Sequence, residues 1–210
     1  MTIKLYSYWR SSAAYRVRIA LNLKQLDHEI VPVSLAPGQS EHREDAYRAI
    51  NPQMLVPFFE DGDVAIGQSM AILEYLDEAY PAVSLLPKTE PERSRARAFA
   101  NVIACDVHPL QNLRVQERIA TELDGDGGEW ARHWINISFN ALEILIGDGP
   151  YAFGDSPTMA DVLLIPQMYN ARRFKLPLEA YPKLIAVNDH CSQHDAFKLA
   201  APEMQSRITR

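Results

Sequence analysis

The apolar residues of this chain change their spacing once, at a run of prolines, and that change limits the folds open to it. Up to Tyr80, short strand-type runs alternate with segments of helical spacing, whereas beyond Pro81, Pro87 and Pro91 only helical spacing remains. Proline fixes φ and removes a donor, so the stretch holds neither a long helix nor a central strand. The sequence therefore predicts a first domain over 1–82, a linker over 83–91 and a second domain over 92–210. In the first, strands are predicted at Ile3–Ser7, Ile30–Val33, Val56–Phe59 and Val64–Ile66, and helices from Ser11 to about Lys24, at Glu41–Ile50 and at Ser69–Tyr80. Asp61-Gly62-Asp63 between the last two strands is a hairpin turn signal. The order βαβαββα is that of a small α/β unit with a mixed sheet, parallel across the crossover and antiparallel at the hairpin. The second domain reads as an all-helical bundle, with helices over Glu92–Leu123, Trp130–Ile146, Ala160–Phe174 and Leu184–His194. Pro109 predicts a kink or break near Cys105–His108.

Charge and cysteine content remove several function classes. Among 210 residues, 27 are acidic and 21 basic, a net charge of −6 that repels a phosphate backbone and argues against nucleic-acid binding. The opening MTIKLYSYWRSS does not read as a signal peptide, and no apolar run is long enough for a membrane span. Cys105 and Cys191 form neither a disulfide framework nor a metal-ligand spacing, which suits a reducing, cytoplasmic setting and predicts no metal. Both read as inert thiols.

Three places can carry chemistry. Trp9-Arg10-Ser11-Ser12-Ala13-Ala14-Tyr15-Arg16 lies between the first strand and the first helix, where free N–H groups and the helix dipole favour an anion or a thiolate. Ser11 and Ser12 supply hydroxyl donors there, or one of them caps the helix. A redox thiol would need a cysteine at this turn, and positions 13 and 14 are alanine, so any sulfur chemistry needs a thiol carried in by a cofactor. Val56-Pro57 precedes a strand. A cis bond would turn the Val56 backbone outward toward an extended peptide ligand, although trans is the commoner form. Gln68-Ser69 opens a further helix, where Ser69 either caps or captures a carboxylate. Elsewhere, His108 on an apolar helix reads as a hydrogen-bonded structural residue, His42 as a solvated one, and Thr158-x-x-Asp161 as a capping box.

Taken together, SSAAYRVRIAL at 11–21, Val-Pro at 56–57, Gln-Ser at 68–69, HPLQNLR at 108–114 and FGDSPTMADVLLIPQ at 153–167 resemble the zeta class of glutathione transferases, over essentially the whole chain. The resemblance implies a thioredoxin-like domain followed by a helical domain, a homodimer, and glutathione as thiol cofactor. It implies cis–trans isomerisation of maleylacetoacetate to fumarylacetoacetate in tyrosine and phenylalanine breakdown. Maleylpyruvate isomerisation, general glutathione conjugation and noncatalytic ligand binding are the alternatives. Ser11 and Ser12 match the serines of the family's SSC motif, one of them donating to the glutathione sulfur, and Ala13 stands where the motif has cysteine. By the same match Ser11, Ser12, Ala13, Ala14, Tyr15 and Arg16 form the glutathione turn. His42 meets the glycyl end, Val56-Pro57 the backbone, and Gln68-Ser69 the γ-glutamyl end. His108, Asn112, Leu113 and Arg114 lie where the family's helical domain reaches the active site. A dicarboxylate bound by an acidic protein needs local positive charge, which suits arginine forks. The resemblance favours Arg10 and Arg173 as clamps across an interdomain cleft, with Arg114 as a further candidate.

Overall fold

The computed structural model describes residues 2–205. The chain divides into two compact units, one of residues up to Ser84 together with those from His194, the other Leu85–Gln193. In the first unit β1 (Ile3–Ser7), β2 (His28–Pro32), β3 (Phe58–Asp61) and β4 (Val64–Gly67) form one sheet in the order β2-β1-β3-β4. As the crossover and hairpin require, β1 runs parallel to β2, pairing Ile3 with His28, and antiparallel to β3, pairing Leu5 with Phe59, while β3 and β4 close the hairpin. Leu5 and Phe59 are fully buried in the two central strands. The thioredoxin-like βαβαββα order expected from the sequence is present, with α1 (Ser12–Leu23), α2 (Asp45–Ile50) and α3 (Ser69–Ala79) between and after the strands.

Three local departures have physical reasons. The expected helix at 41–50 is a 3-10 turn, Glu41–Arg43, and then α2, separated at Glu44 by an extended backbone with ψ of 151°. β3 starts at Phe58 instead of Val56, because Pro57 has no N–H to donate to a ladder; the Val56-Pro57 bond before the strand is cis. The last segment, placed by the sequence in the helical domain, belongs to the first unit as α9 (Asp195–Ala200) and α10 (Pro202–Gln205). It docks on α1 through polar groups that hydrophobic periodicity does not register. Tyr15, Arg18 and Asn22 share one helical face and donate to the carbonyls of Phe197, Ala200 and Ala196 at 3.5, 2.9 and 3.0 Å. At the end of α1, the buried Lys24 ammonium donates to the Tyr80 and Val83 carbonyls beyond α3 and pairs with Asp77.

The second unit holds α4 (Glu90–Asn101), α5 (Leu113–Glu122), α6 (Gly127–Leu145), α7 (Met159–Arg173) and α8 (Pro182–Cys191). α4 begins inside the expected linker, since Pro91 falls in its first turn, where a missing N–H breaks no helical bond. The break predicted at Cys105–His108 is present. α4 passes into a π-helical turn, Val102–Val107, and the chain is irregular until α5. α6 starts at Gly127, earlier than its apolar pattern suggests, because Asp126 accepts from the Gly128 and Glu129 amides. A Cβ on Gly127 would come within 2.8 Å of the Gln116 carbonyl oxygen, so glycine permits the close approach of α5 and α6. Buried Gln111 and Gln167 exchange amide hydrogen bonds of 2.7 and 3.0 Å.

Thr158 and Asp161 open α7 as expected. Fully buried Asp161 accepts from the Thr158 amide and hydroxyl on one oxygen, at 2.8 and 2.9 Å, and from the Ala152 amide on the other at 2.7 Å. Burial raises its pKa while these donors oppose the rise. An amide in its place can accept on one side only. Asp161→Asn is therefore expected to destabilise the protein by about 1–3 kcal/mol, the cost of a buried donor left unmatched. Urea denaturation followed by far-ultraviolet circular dichroism measures this, and an unchanged midpoint would contradict it.

Candidate active site

The turn from β1 into α1 brings the first candidate residues together. Ser11 is the N-cap of α1, with extended φ and ψ of −66° and 118°, and its Oγ accepts from the Ala14 amide at 3.2 Å. The capping reading thus holds for Ser11. A hydroxyl that accepts this bond still carries its own proton to donate. Ser11 is half-buried, whereas Ser12 lies in the first turn and is 7% exposed, with Ala13, Ala14, Tyr15 and Arg16 buried after it. Arg10 is exposed, its guanidinium carbon 5.4 Å from the centroid of the Trp9 ring.

Arg16 links this turn to a second helix start. Its side chain is buried, and Nη1 donates to the Ser69 hydroxyl at 3.1 Å. Ser69 is the first residue of α3 and Gln68 its N-cap, with φ of 68° and no side-chain cap bond. Ser69 therefore does not cap α3, because it lies one position inside the helix, and its hydroxyl accepts from Arg16 instead. The exposed Gln68 side chain donates to Gln53 at 2.9 Å.

Around Val56 the structure is tightly braced. The Leu55 carbonyl accepts from the Tyr47 hydroxyl and from the Asn51 amide, both at 2.7 Å. Val56 packs with Val33 and Tyr47, with Tyr6, Tyr8 and Leu35 against them. His42 departs from the solvated reading. It is 3% exposed, and its Nδ1 lies 3.4 Å from the Ser34 carbonyl, because the 3-10 turn carries the ring inward.

In the second unit, the HPLQNLR segment lies at the helix break. The His108 amide donates to the Ile103 carbonyl, completing the π-helical turn. Asn112 is the N-cap of α5, its side chain accepting from the Arg114 amide at 3.2 Å. Leu113 and Arg114 are exposed. Arg173, the last residue of α7, is exposed, with its guanidinium carbon 4.3 Å from the Phe174 ring centroid. Cys105 is exposed and Cys191 buried, where burial, then Asp161, pushes its thiol up. Among the described residues no group of three or more His, Cys, Asp or Glu is placed to hold a metal, and no helix is long and apolar enough to cross a membrane.

Two supports of the site escape sequence reasoning. Arg18 appears in the sequence only as a charge between apolar positions, yet it is buried and donates to the Trp9 carbonyl in the turn before Ser11. Arginine placed between valine and isoleucine on a helix of mostly apolar residues is the signal that points to it. Tyr47 and Asn51, on and just after a polar helix, carry no signal of their bonds to Leu55.

Residues 5–88 match the family described as glutathione S-transferase, N-terminal domain. The maleylacetoacetate isomerase of Pseudomonas aeruginosa is 44% identical over 207 residues, covering 97% of each chain. A solved holo structure of maleyl pyruvate isomerase, a bacterial zeta-class glutathione-S-transferase, superposes with a TM-score of 0.93 at 44% identity, over 96% of this chain and 98% of that one. The maleylacetoacetate isomerase of Anaeromyxobacter dehalogenans, solved with glutathione in its active site, gives a TM-score of 0.88 at 43% identity, over 97% and 96% of the two chains. The fold is thus that of a glutathione transferase. Within that superfamily, the chain belongs to the zeta class, the family of these isomerases.

Burial pushes the Tyr47 phenol up to about 12, with the Asn51 hydrogen bond opposing the rise. The neutral phenol is the form that donates to Leu55. Its folded value lies above the ordinary 10, so the stability it contributes is fully present below pH 10 and is lost as pH rises through about 12. Unfolding midpoints in urea at several alkaline pH values should fall over this window, and by less in Tyr47→Phe. Equal slopes in the two proteins would refute the assignment.

Proposed function

We propose that this protein is a glutathione-dependent cis–trans isomerase that converts maleylacetoacetate to fumarylacetoacetate, acting as a cytoplasmic homodimer in tyrosine and phenylalanine breakdown. The observation that carries the reading is a helix start with a hydroxyl donor and no protein thiol. Ser11 caps α1 while Ala13 and Ala14 follow it, so the nucleophile has to come with a cofactor. Residues of the first unit fit a thiol tripeptide. α1 presents its N-terminus with Ser11, Arg16 holds Ser69 at the start of α3, and the braced Val56 segment offers backbone to an extended ligand.

When bound, glutathione supplies a thiolate that adds to the electron-poor alkene, allows rotation about the resulting single bond, and leaves again unchanged. The chain's own residues make this possible. The Ser11 hydroxyl, already accepting from the Ala14 amide, donates toward the sulfur position, and the N-terminus of α1 favours negative charge there. Ser69 and Gln68 receive the γ-glutamyl end, Val56-Pro57 the backbone and His42 the glycyl end. His108, Asn112, Leu113 and Arg114 complete the site's contacts. Arg10 and Arg173 bind the substrate carboxylates, with Arg114 as a further cation, and Arg10 also stabilises the enolate that develops on addition.

Maleylpyruvate is the second reading, favoured by one observation. Relatives bearing the two isomerase names are equally similar to this chain, at 44% identity each. Both substrates assayed side by side, with and without glutathione, test the proposal. Turnover of maleylacetoacetate is expected to require glutathione and to leave its concentration unchanged; undiminished turnover without thiol, or stoichiometric thiol loss, would overturn it.

Two variants refine the roles. Ser11→Ala is expected to lower turnover by about tenfold to a thousandfold, the range for losing a donor to a developing anion, and Ser12→Ala by less, because its side chain is more deeply buried. A larger loss in Ser12→Ala would reverse the assignment. Arg173→Ala is expected to lose about tenfold to a hundredfold in kcat/KM for the dicarboxylate, with glutathione affinity unchanged by calorimetry. Equal losses in both measurements would remove it from carboxylate binding.

A further inference from the structure

Arg18 is 1% exposed, and all its donor nitrogens end on uncharged oxygens. Nε donates to the Ala200 carbonyl at 2.9 Å, Nη1 to the Ser7 hydroxyl at 3.0 Å, and Nη2 to the Trp9 carbonyl at 3.2 Å. The guanidinium carbon also lies 5.3 Å from the Tyr15 ring centroid. Burial draws its pKa down to about 10, so the group remains cationic at neutral pH. The acceptors come from three places, the end of β1, the turn leading to Ser11, and the end of α9. A buried cation holds such acceptors firmly, since losing any one of them strands a desolvated charged donor. On the other side of the turn, the Ser11 amide donates to the Tyr8 carbonyl at 2.9 Å. Between them, Arg18 and this bond determine the path of Tyr8–Ser11.

The structure assigns to Arg18 the part of a positioning residue, one that ties the docked C-terminal helix α9 to the turn that aims the Ser11 hydroxyl. The assignment rests on the reading of Ser11 as the thiol's hydrogen-bond donor. It separates Arg18 from Asn22, which also holds α9, through the Ala196 carbonyl, and makes no hydrogen bond to the turn. Weakening α9 at Asn22 costs stability. Weakening it at Arg18 also releases the active turn.

The full-length protein tests this through Arg18→Lys, which keeps the charge but cannot span three acceptors, with Asn22→Ala as the comparison. Glutathione is titrated by calorimetry, and the bound thiolate is followed by its ultraviolet absorbance against pH. Arg18→Lys is expected to bind glutathione about tenfold more weakly, with the thiolate midpoint about one pH unit higher. Asn22→Ala is expected to lower the melting temperature while leaving both readings at wild-type values. Amide exchange in the unliganded protein gives a readout independent of glutathione. The Ser11 and Ala14 amides should exchange faster in Arg18→Lys, with those of β1 and β3 unchanged.

Wild-type affinity, midpoint and exchange in Arg18→Lys would overturn the assignment, as would shifts of the same size in Asn22→Ala. If Arg18→Lys does not fold, Ser7→Ala removes only the Nη1 acceptor. A smaller rise of the thiolate midpoint, with faster Ser11 exchange, then supports the assignment, and unchanged values overturn it. A wild-type protein that binds no glutathione would refute the Ser11 reading alone, because exchange at Ser11 and Ala14 still decides whether Arg18 holds the turn.

Discussion

A guanidinium buried without a carboxylate is costly unless its nitrogens find oxygens, and at Arg18 three segments of the first unit meet that demand. The strand end, the turn and the last helix are each held at one of its nitrogens. α1 is consequently enclosed on nearly all sides, with Asn22 the one residue not buried along its 12 positions. Arg16 and Lys24 also bridge segments along the helix, one through Nη1 to Ser69 at the start of α3 and the other to carbonyls beyond its end and to Asp77. Charged groups here act as fasteners between backbone segments, while Val17, Ile19, Leu21 and Ile72 supply the apolar burial that favours folding in the first place.

Apolar spacing, turn chemistry and proline placement made the architecture legible. Alternation in Ile3–Ser7 and the Asp-Gly-Asp turn located the sheet, and Pro109 located the break that the π-helical turn now fills. What stayed hidden was polar and long-range. The docking of α9 depends on side chains of α1 meeting carbonyls about 180 residues away, and no local pattern encodes that pairing. For the same reason His42 read as solvated. Its burial comes from a short 3-10 turn in a polar stretch, where periodicity says nothing. Among the candidate site residues, those near helix starts were the readable ones, because capping chemistry is local. Even there the roles shifted, since Ser11 caps as one reading had it while Ser69 serves Arg16.

The second unit solves a related problem with side-chain amides and one carboxyl group. Asp161 gathers two amides and a hydroxyl at the start of α7, with the Cys191 thiol beside them, and Gln111 and Gln167 satisfy each other in a reciprocal pair. Buried polar groups satisfied in this way specify one packing, since any slip leaves them unmatched. HPLQNLR shows the economy of such a segment. Gln111 anchors it inward, Asn112 starts the next helix, and Leu113 and Arg114 are left at the surface.

The return of the chain at α9 has a consequence for the order in which the protein is made. Arg18 and its acceptor at Ala200 are 182 residues apart, so at ribosomal speeds of about 5–20 residues per second the arginine waits roughly 10–35 s for its third partner. During that interval α1 lacks the Ala200 carbonyl that its guanidinium meets in the finished fold, while residues 85–193, the whole of the other unit, are being synthesised. Vectorial synthesis thus makes the N-terminal unit, begun first, the last to be completed.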